Sequence, residues 1–587
     1  MSQLARLYEE GRARPDEILS EVKRRIADCR DPSVWIFRVP PDDLQAQATV
    51  LEQRRARGEV LPLYGIPFAV KDNIDVQGYP TSAGCPVFTY QAEQTAAVVA
   101  RLRNAGALFI GKTNLDQFAV GLAGDRSPYG VCRNIFDAER ISGGSSSGSA
   151  VAVAAGLVSF ALGTDTAGSG RVPAGCNNIV GLKPTPGLLD TEGVVPACQS
   201  LDCVSVFALT VSDALKVCEI AAGKPLPAAD GPSGETFVFA VPRDKDLEFF
   251  GDREQANLFT TAVERLEQMG GRRIEVDFRP LREVAALLYD GPWLAERLAG
   301  LGSFFATHAA DMHPVTRSII EEGARYTAVD AFKAMATLRK MRGTCAKVFE
   351  EADLLVVPTM PTIPTLKEVQ AESVAWSRKL GYYTNFVNLL GWAALAVPSG
   401  FTPKKMPGGI TLIGPGGSER GLCRLGQAWQ ERMALPLGAT GHGLLAPSPR
   451  EPAGSPSAGQ VRVAVAGAHL RGQPFHAALL GMGAKFVRSC QTASHYRFVA
   501  LMHLTPPRPG LIRDEERAGS VLVEIYELSF EGFGKLVASV APPLAIGTIE
   551  LADGEKVKGF LCESWAAAAA RDITDFGSWL TFLEKLP

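Results

Sequence analysis

Two glycine- and serine-rich loops, separated by an apolar segment, limit the folds open to this chain. Residues 141–187 read ISGGSSSGSAVAVAAGLVSFALGTDTAGSGRVPAGCNNIVGLKPTPG. Glycine lets a backbone adopt positive φ and approach a ligand closely, and such loops leave amide N–H groups free to point into one cavity. We therefore expect loops that bind an anion, either permanent or transient.

Three interpretations of these loops are open from their composition: a tight structural turn, a phosphate cradle and an oxyanion hole. A phosphate-binding P-loop needs the pattern G-x-x-x-x-G-K-[ST]. Here no lysine follows Gly148, and a long apolar helix is predicted instead. The phosphate interpretation therefore loses most of its support, whereas the oxyanion hole does not.

A serine nucleophile needs a base close by, because a hydroxyl is a poor attacker at neutral pH. His308, His313 and His442 are remote from the glycine-rich loops, so a Ser-His-Asp arrangement has no local support. Lys71 follows the apolar run GIPFAV, and partial burial would lower its pKa and favour the proton-accepting form. The alternative is an ordinary surface lysine at a strand end.

Length and composition predict two globular domains. At 587 residues the chain exceeds one ordinary hydrophobic core, and it is 46% hydrophobic and 21% charged. Residues 446–460, APSPREPAGSPSAGQ, have the composition of a flexible linker. We therefore predict a large domain at 1–445 and a small one at 461–587.

The apolar runs predict a different fold class for each domain. In the large domain, runs of strand length at 66–70 and 107–110 alternate with helical patterns such as 95–104, which is typical of an α/β fold. In the small domain, short strands are predicted at 461–466, 520–525 and 548–551, which indicates a β-rich α+β fold.

Charge and cysteine usage exclude several classes of partner and site. The 60 lysines and arginines nearly balance 63 aspartates and glutamates, so nothing indicates binding to nucleic acid or an anionic membrane. The 11 cysteines are never spaced C-x-x-C, which argues against disulfides and zinc. The N-terminal residues resemble neither a signal peptide nor a membrane anchor, so we expect a cytoplasmic protein. As a separate expectation, nothing in the sequence requires a metal or an organic cofactor.

Three motifs resemble those of the amidase signature hydrolases: KDNID, GGSSSGSA and TDTAGSGRVPA, in that order. The resemblance implies a large mixed β-sheet covered by helices on both faces. It also implies that Ser169 is the acylated nucleophile, that Ser145 bridges to it from a cis peptide bond, and that Lys71 accepts the proton. Ser145 and Ser169 lie 24 residues apart, which fits the family. Loop or helix-cap roles are expected for the competing Ser146, Ser147 and Ser149.

The same resemblance implies an oxyanion hole made of main-chain N–H groups. Its donors would be the amides of Thr166, Ala167, Gly168 and Ser169, because preorganised donors stabilise a tetrahedral oxyanion. One position departs from the family pattern: Gly170 stands where the family usually has isoleucine.

That departure, within GTDTAGSGRVPAGCNNIVGLKPTPG, resembles the allophanate hydrolase subgroup. The segments GAHLRGQP, PPRPGLIR, PPLAIGTIEL and VKGFLCE resemble the second domain of these enzymes, a small α+β domain with a β-barrel-like γ-glutamylcyclotransferase-like fold. The resemblance implies hydrolysis of the terminal amide of allophanate, which is N-carboxyurea, with release of ammonia.

Allophanate is an anion, and an arginine suits its planar carboxylate. Tyr289 and Arg297 match the pair that binds the carboxylate in the family, and main-chain groups around Gly121 are candidates for binding the substrate amide. Without the resemblance, Arg297 would be interpreted as a solvated helix-face residue and Tyr289 as a core aromatic.

In the family, the second domain is implicated in decarboxylating N-carboxycarbamate, the product of the first step. His469 is the candidate residue there, in competition with His476, His495 and His503. The carboxylate typical of cyclotransferases is not found at Ser539, Val540 and Ala541, so a structural or dimerising role for this domain also stays open.

Two alternatives to allophanate hydrolysis remain. A broader amidase would use Ser169, Ser145 and Lys71 without Arg297. An inactive scaffold of the same fold is disfavoured, because a lysine desolvated beside serines destabilises a protein that does not use it. From the family we also expect a homodimer, and a separate urea carboxylase that supplies the substrate.

Overall fold

The computed structural model describes residues 1–29, 31–227, 236–444, 459–514, 519–552, 554–568, 570–583 and 585. The chain divides into two compact units, Met1–Leu444 and Leu445–Pro587. The predicted linker at 446–460 lies outside the described residues except for its last two positions, so its limits stay a prediction.

The first unit is built on one large β-sheet. Its described strands are β1 Trp35–Arg38, β2 Pro67–Lys71, β3 Pro80–Thr81, β4 Tyr90–Gln91, β5 Leu108–Thr113, β6 Phe160–Asp165, β7 Val180–Lys183, β8 Cys203–Ala208, β9 Phe237–Pro242, β10 Gly271–Val276, β11 Leu354–Pro358, β12 Ala393–Phe401 and β13 Pro407–Gly414. Eleven of them form a sheet in the order β1-β5-β2-β6-β8-β7-β12-β13-β11-β9-β10, and β3 pairs with β4 separately. Because β2 runs parallel to β5 and β6 while β6 runs antiparallel to β8, the predicted mixed sheet is confirmed.

Helices pack against this sheet and against one another. The described ones are α1 Ser2–Glu9, α2 Pro15–Asp28, α3 Pro41–Ala56, α4 Ala97–Asn104, α5 Ser147–Ala154, α6 Val172–Cys176, α7 Val211–Ala222, α8 Arg253–Gln268, α9 Arg279–Tyr289, α10 Trp293–His308, α11 Pro314–Glu321, α12 Ala328–Ala346, α13 Val348–Glu351, α14 Leu366–Ala371, α15 Ser373–Leu380, α16 Asn385–Leu390 and α17 Glu419–Met433. In the described parts of the chain, no helix has the length and apolar character needed to cross a membrane.

The segments that position the site are the most apolar part of the sheet. Every residue of β2 and β6 is buried, as expected for parallel strands covered on both faces. The predicted strands at 66–70 and 107–110 correspond to β2 and β5, and the predicted helix at 95–104 to α4. Helix α5, SGSAVAVA, is wholly buried because its small side chains allow close approach to its neighbours.

The second unit has a smaller curled sheet. Its strands are β14 Gln460–Val465, β15 Lys485–Gln491, β16 Tyr496–Leu501, β17 Arg508–Arg513, β18 Leu522–Ser529, β19 Leu544–Glu550, β20 Lys556–Cys562 and β21 Arg571–Asp572. Its described helices are α18 His476–Gly481, α19 Phe530–Ser539, α20 Ser564–Ala567 and α21 Trp579–Leu583. Strand β20 pairs with β14, β17 and β19, so the sheet branches there. The predicted α+β class is confirmed.

Candidate active site

Lys71 is the last residue of β2, and its side chain is fully buried. Its Nζ donates hydrogen bonds to Ser145 Oγ at 2.8 Å and to Thr164 Oγ1 at 2.7 Å. Burial lowers the pKa of Lys71 to about 7, although nearby carboxylates act in the opposite direction. The alternative of a surface lysine is therefore wrong, and at neutral pH this amine can accept a proton.

Ser145 lies between Lys71 and Ser169. Its Oγ is 2.9 Å from Ser169 Oγ, and the peptide bond between Gly144 and Ser145 is cis, as the resemblance implies. The three side chains thus form one hydrogen-bonded chain. When the lysine is neutral, the hydroxyl hydrogens can reverse, so that Ser169 donates to Ser145 and Ser145 donates to Lys71.

The loop that carries Ser169 is held by one carboxylate. Asp165 ends β6 and accepts hydrogen bonds from the N–H groups of Gly168 and Gly170 at 2.9 and 3.0 Å. The guanidinium of Arg171 pairs with the same carboxylate through two hydrogen bonds of 2.9 and 3.0 Å. Burial acts to raise the pKa of Asp165, but Arg171 outweighs it and holds this pKa below its usual value.

This arrangement corrects the predicted oxyanion hole at one position. The N–H of Gly168 donates to Asp165 and is not available to a substrate. Among the described residues, the N–H groups of Thr166, Ala167 and Ser169 have no acceptor, so they remain candidates. The prediction missed this contact because it depends on how the side chain of Asp165 folds back under the loop.

Asp202 contacts the loop that carries the candidate oxyanion-hole amides. Its carboxylate accepts a 2.5 Å hydrogen bond from Thr166 Oγ1 and two more from the N–H groups of Ala197 and Cys198, at 2.8 and 3.1 Å. Burial raises the pKa of Asp202 to about 6, and the charge of Arg297 opposes that shift. Asp202 therefore holds the loop of Ser169 through Thr166 and lies within the electrostatic influence of Arg297.

Arg297 is 3% exposed, so its interpretation as a solvated helix-face residue is wrong. It lies on α10, with its Cζ 5.6 Å from the ring centroid of Tyr289, which ends α9. Its Nε and Nη1 are buried without a hydrogen-bond partner in the part of the chain that the structure describes. Leaving such donors unsatisfied costs free energy, which an anionic ligand would recover.

Gly121 lies beside the cis peptide. The carboxylate of Asp116 occupies the space that a side chain on Gly121 or Gly144 would need. The carbonyl of the next residue, Leu122, accepts a 2.8 Å hydrogen bond from the N–H of Gly144. Asp116 itself accepts from the N–H groups of Gly124 and Arg126, so this segment is fixed against the peptide that carries Ser145.

In the second unit, His469 lines a cavity of about 270 Å³. Its ring stacks on Phe560 with the centroids 4.9 Å apart. The competing histidines lie elsewhere: His476 contacts Tyr526 Oη at 3.1 Å, and His495 is 3.9 Å from Glu550. His503 is exposed. Of the four, His469 alone lines this cavity within the described residues.

The sequence model of the Amidase family matches residues 17–423, more than half of the chain. The chain belongs to the amidase family. A second model, described as the allophanate hydrolase C-terminal domain, matches residues 461–584. The amidase domain and this C-terminal domain thus account for the two units.

The similarity to individual proteins supports the same family assignment. It is 42% identical to the urea amidolyase of Saccharomyces cerevisiae, over 94% of this chain and 31% of that protein. It is 35% identical to a glutamyl-tRNA(Gln) amidotransferase subunit from Symbiobacterium thermophilum, over 73% of this chain and 96% of that one. The crystal structure of Kluyveromyces lactis allophanate hydrolase has a TM-score of 0.77 at 39% identity and covers 98% of both chains. The amidase therefore spans less than a third of the yeast urea amidolyase that it matches.

The competing residues of the amidase domain have other contacts. Ser146 and Ser149 donate to the carbonyls of Thr164 and Leu162, and Ser147 is the first residue of α5. His308 pairs with Asp311 at 3.1 Å, and the N–H of His313 donates to Gln117. Among the described residues, none of His308, His313 and His442 hydrogen-bonds to Ser145 or Ser169.

Three polar residues of the amidase site were missed by sequence reasoning. Thr164 and Asp165 are the last two residues of β6, directly before the glycine-rich loop that carries Ser169, and this position could have drawn attention. Asp202 has no local signal, because it reaches Thr166 only through the pairing of β6 with β8. Among the described residues, no cluster of three or more His, Cys, Asp or Glu side chains could hold a metal ion.

Proposed function

We propose that this amidase hydrolyses allophanate with Ser169 as nucleophile, Ser145 as proton relay and Lys71 as base. The single observation that carries the proposal is the buried guanidinium of Arg297, two of whose donors have no hydrogen-bond partner among the described residues. A buried cation with two such unsatisfied donors fits a substrate that carries its own carboxylate. The likeness to the K. lactis allophanate hydrolase supports the same substrate.

In the proposed reaction, Ser169 Oγ attacks the terminal amide carbonyl and its proton passes through Ser145 to Lys71. The amides of Thr166, Ala167 and Ser169 stabilise the oxyanion of the tetrahedral intermediate. The C–N bond then breaks, and the leaving nitrogen takes the proton back and departs as ammonia. Water attacks the acyl-enzyme, frees Ser169 and yields N-carboxycarbamate.

The substrate's carboxylate is proposed to bind Arg297 and Tyr289, with main-chain groups around Gly121 holding the amide. The C-terminal domain would then assist loss of carbon dioxide from N-carboxycarbamate, with His469 as its candidate residue. The resulting carbamate decays to ammonia and carbon dioxide. A separate urea carboxylase as the source of allophanate and a homodimeric state also stay predictions of the family resemblance, and a cytoplasmic location stays a prediction from the N-terminal sequence.

Steady-state ammonia release tests this proposal. Wild type is compared with Ser169→Ala and Arg297→Ala on allophanate, malonamate and the neutral propionamide, with Arg279→Ala, an exposed arginine of the neighbouring helix α9, as the matched control. We expect a preference for allophanate, no turnover by Ser169→Ala, and a loss by Arg297→Ala confined to the two carboxylate substrates. Equal turnover of propionamide, unchanged by Arg297→Ala, would leave a broader amidase and exclude allophanate specificity.

A further inference from the structure

Cys198 contacts two carboxylates that belong to different parts of the amidase site. Its N–H donates to Asp202 at 3.1 Å, and its thiol donates to the Oε2 of Glu296 at 3.0 Å. The side chain is buried, and burial raises the pKa of the Cys198 thiol well above its usual value, although the charge of Arg297 opposes that shift. The thiol therefore keeps its proton near neutral pH and stays a donor.

Glu296 holds residues 197–202, the loop that contains Cys198, through three hydrogen bonds. Besides the thiol of Cys198, its carboxylate accepts from the N–H and the Oγ of Ser200, both at 2.7 Å. Glu296 and Arg297 are consecutive on α10, so their side chains leave the helix about 100° apart. Glu296 thus holds the helix to the loop, while Arg297 leaves the helix in another direction.

The same loop also holds the segment of the nucleophile. Its last residue, Asp202, accepts hydrogen bonds from Thr166 Oγ1 and from the N–H of Cys198. Thr166 supplies one of the candidate oxyanion-hole amides. Hydrogen bonds therefore run without interruption from Thr166, through the loop, to the helix that carries Arg297.

Apolar packing alone would leave the position of α10 variable. Trp293 of this helix belongs to the same buried cluster as Cys198 and Leu201. Apolar contacts have no preferred direction, so such a cluster permits small shifts of a helix along the loop, whereas hydrogen bonds have preferred lengths and angles. The contacts of Glu296 therefore decide where Arg297 lies relative to the oxyanion-hole amides.

We propose that Glu296 and Cys198 are positioning residues that set the distance between Arg297 and the oxyanion-hole amides, and so select the length of the substrate. This rests on the proposed function, in which Arg297 binds the substrate's carboxylate while the amides bind the oxyanion. A substrate with one extra methylene group cannot satisfy both ends without displacing its carbonyl from Ser169. A displacement of about 1 Å costs on the order of 100-fold in rate.

Two pairs of amides test the proposal in the full-length protein. Malonamate and succinamate carry a carboxylate and differ by one methylene group, and propionamide and butyramide are a neutral pair that differ in the same way. We expect wild type to have a kcat/KM for malonamate at least about tenfold above that for succinamate.

Glu296→Ala and Cys198→Ala should bring the ratio of malonamate to succinamate to within about threefold, because Arg297 then no longer has a fixed position. The ratio of the neutral pair should stay that of wild type, since neither neutral amide has a carboxylate for Arg297. Cys198→Ser should keep the wild-type ratio for both pairs, since its hydroxyl can still donate to Glu296.

Glu283→Ala, at an exposed glutamate of α9, and Cys218→Ala, at a buried cysteine of α7, are the matched controls. Both should keep the wild-type ratios. An unchanged ratio of malonamate to succinamate in Glu296→Ala, or an equal loss in Cys218→Ala, would overturn the proposal. If Glu296→Ala does not fold, Ser200→Ala, at an exposed position, replaces it: a lower ratio supports the proposal and an unchanged one overturns it.

Arg297→Ala separates this proposal from the proposed function. If Arg297 binds the carboxylate, its loss removes the preference for malonamate over propionamide, and adding Glu296→Ala changes the ratio of malonamate to succinamate no further. An Arg297→Ala variant that keeps this preference would contradict the proposed function and the positioning role with it. Loss of the preference in Arg297→Ala together with normal length selection in Glu296→Ala would contradict the positioning role alone.

Discussion

The Nζ of Lys71 lies 2.8 Å from the Oγ of Ser145, and neither side chain is exposed. Bulk solvent therefore does not reach the hydrogen bond through which the proposed proton transfer would run. With the pKa of Lys71 lowered to about 7, the free energy of that transfer is small near neutral pH. The same pair can then take a proton from Ser169 and return it to the leaving group.

The rate should follow the ionisation of Lys71. The amine of Lys71 can accept a proton only when it is neutral, and its neutral fraction grows as the pH rises through its pKa. We expect kcat/KM to rise about tenfold per pH unit below about pH 7 and to level off above it. The pH profile of ammonia release measures this, and a flat profile between pH 5.5 and about 8 would assign the base to another group.

Lys71→Met should inactivate the amidase but stabilise its fold at pH 7. The folded-state pKa is about 7 and the usual value 10.5, so the unfolded chain binds more protons between them, and wild-type stability rises with pH across this window. Below about pH 7 the wild type is destabilised by the full free energy of burying a charged Lys71. We expect the variant to gain on the order of 2–4 kcal/mol at pH 7 in urea unfolding. Lys404→Met, at an exposed lysine, should show no gain.

Substitutions at Gly170 and Ser205 should have strongly non-additive effects on the free energy of unfolding. A Cβ on Gly170 would lie 2.5 Å from the Cβ of Ser205, whose buried Oγ has no hydrogen-bond partner within the described residues. Gly170→Ala should therefore cost about 1–3 kcal/mol and disturb the nucleophile loop. Adding Ser205→Gly should recover most of the loss. Thermal unfolding of the four proteins gives the coupling energy, and additive effects would refute steric contact.

Asp202→Asn should slow the reaction without unfolding the protein. The change keeps the shape but removes the charge that holds Thr166 Oγ1 and the N–H groups of Ala197 and Cys198. We expect kcat to fall about 10- to 100-fold, since the amides beside Thr166 lose their alignment. Asp190→Asn, on the exposed loop after β7, should behave as wild type. A change in KM alone would place Asp202 in substrate binding instead.

Arg297→Met should raise stability and abolish ligand-induced stabilisation. Methionine removes two buried donors that have no hydrogen-bond partner among the described residues, so we expect about 1–3 kcal/mol of added stability without ligand. Malonate should raise the melting temperature of wild type much more than that of the variant. Differential scanning calorimetry measures both effects. A variant less stable than wild type would mean that Arg297 is satisfied by contacts of its own.

The sequence predicted the parts of the site that lie within the three family motifs. The resemblance to the amidase signature hydrolases implied Lys71, Ser145 and Ser169, and their three side chains form a hydrogen-bonded chain in the implied order. The donor assigned to Gly168 was wrong, because a hydrogen bond to Asp165 depends on side-chain rotation that no motif encodes. Asp202 was not predicted at all, since only sheet pairing brings it to Thr166.

Strand limits were predicted less well in the second unit than in the first. The predicted strand at 520–525 is Leu522–Ser529, and the one at 548–551 is Leu544–Glu550. Pairing with β14 and β15 extends β18 past the predicted end at 525, through Glu527 to Ser529. Hydrogen bonding between strands, rather than side-chain polarity, decides where such strands end.

The proposed base, Lys71, depends on two neighbouring strands. Lys71 ends β2, and Thr164, which accepts its second hydrogen bond, lies on β6. A chain in which β2 and β6 have not yet paired carries a solvated, permanently charged lysine and cannot turn over substrate. The time at which activity first appears during refolding would therefore report when β2 pairs with β6.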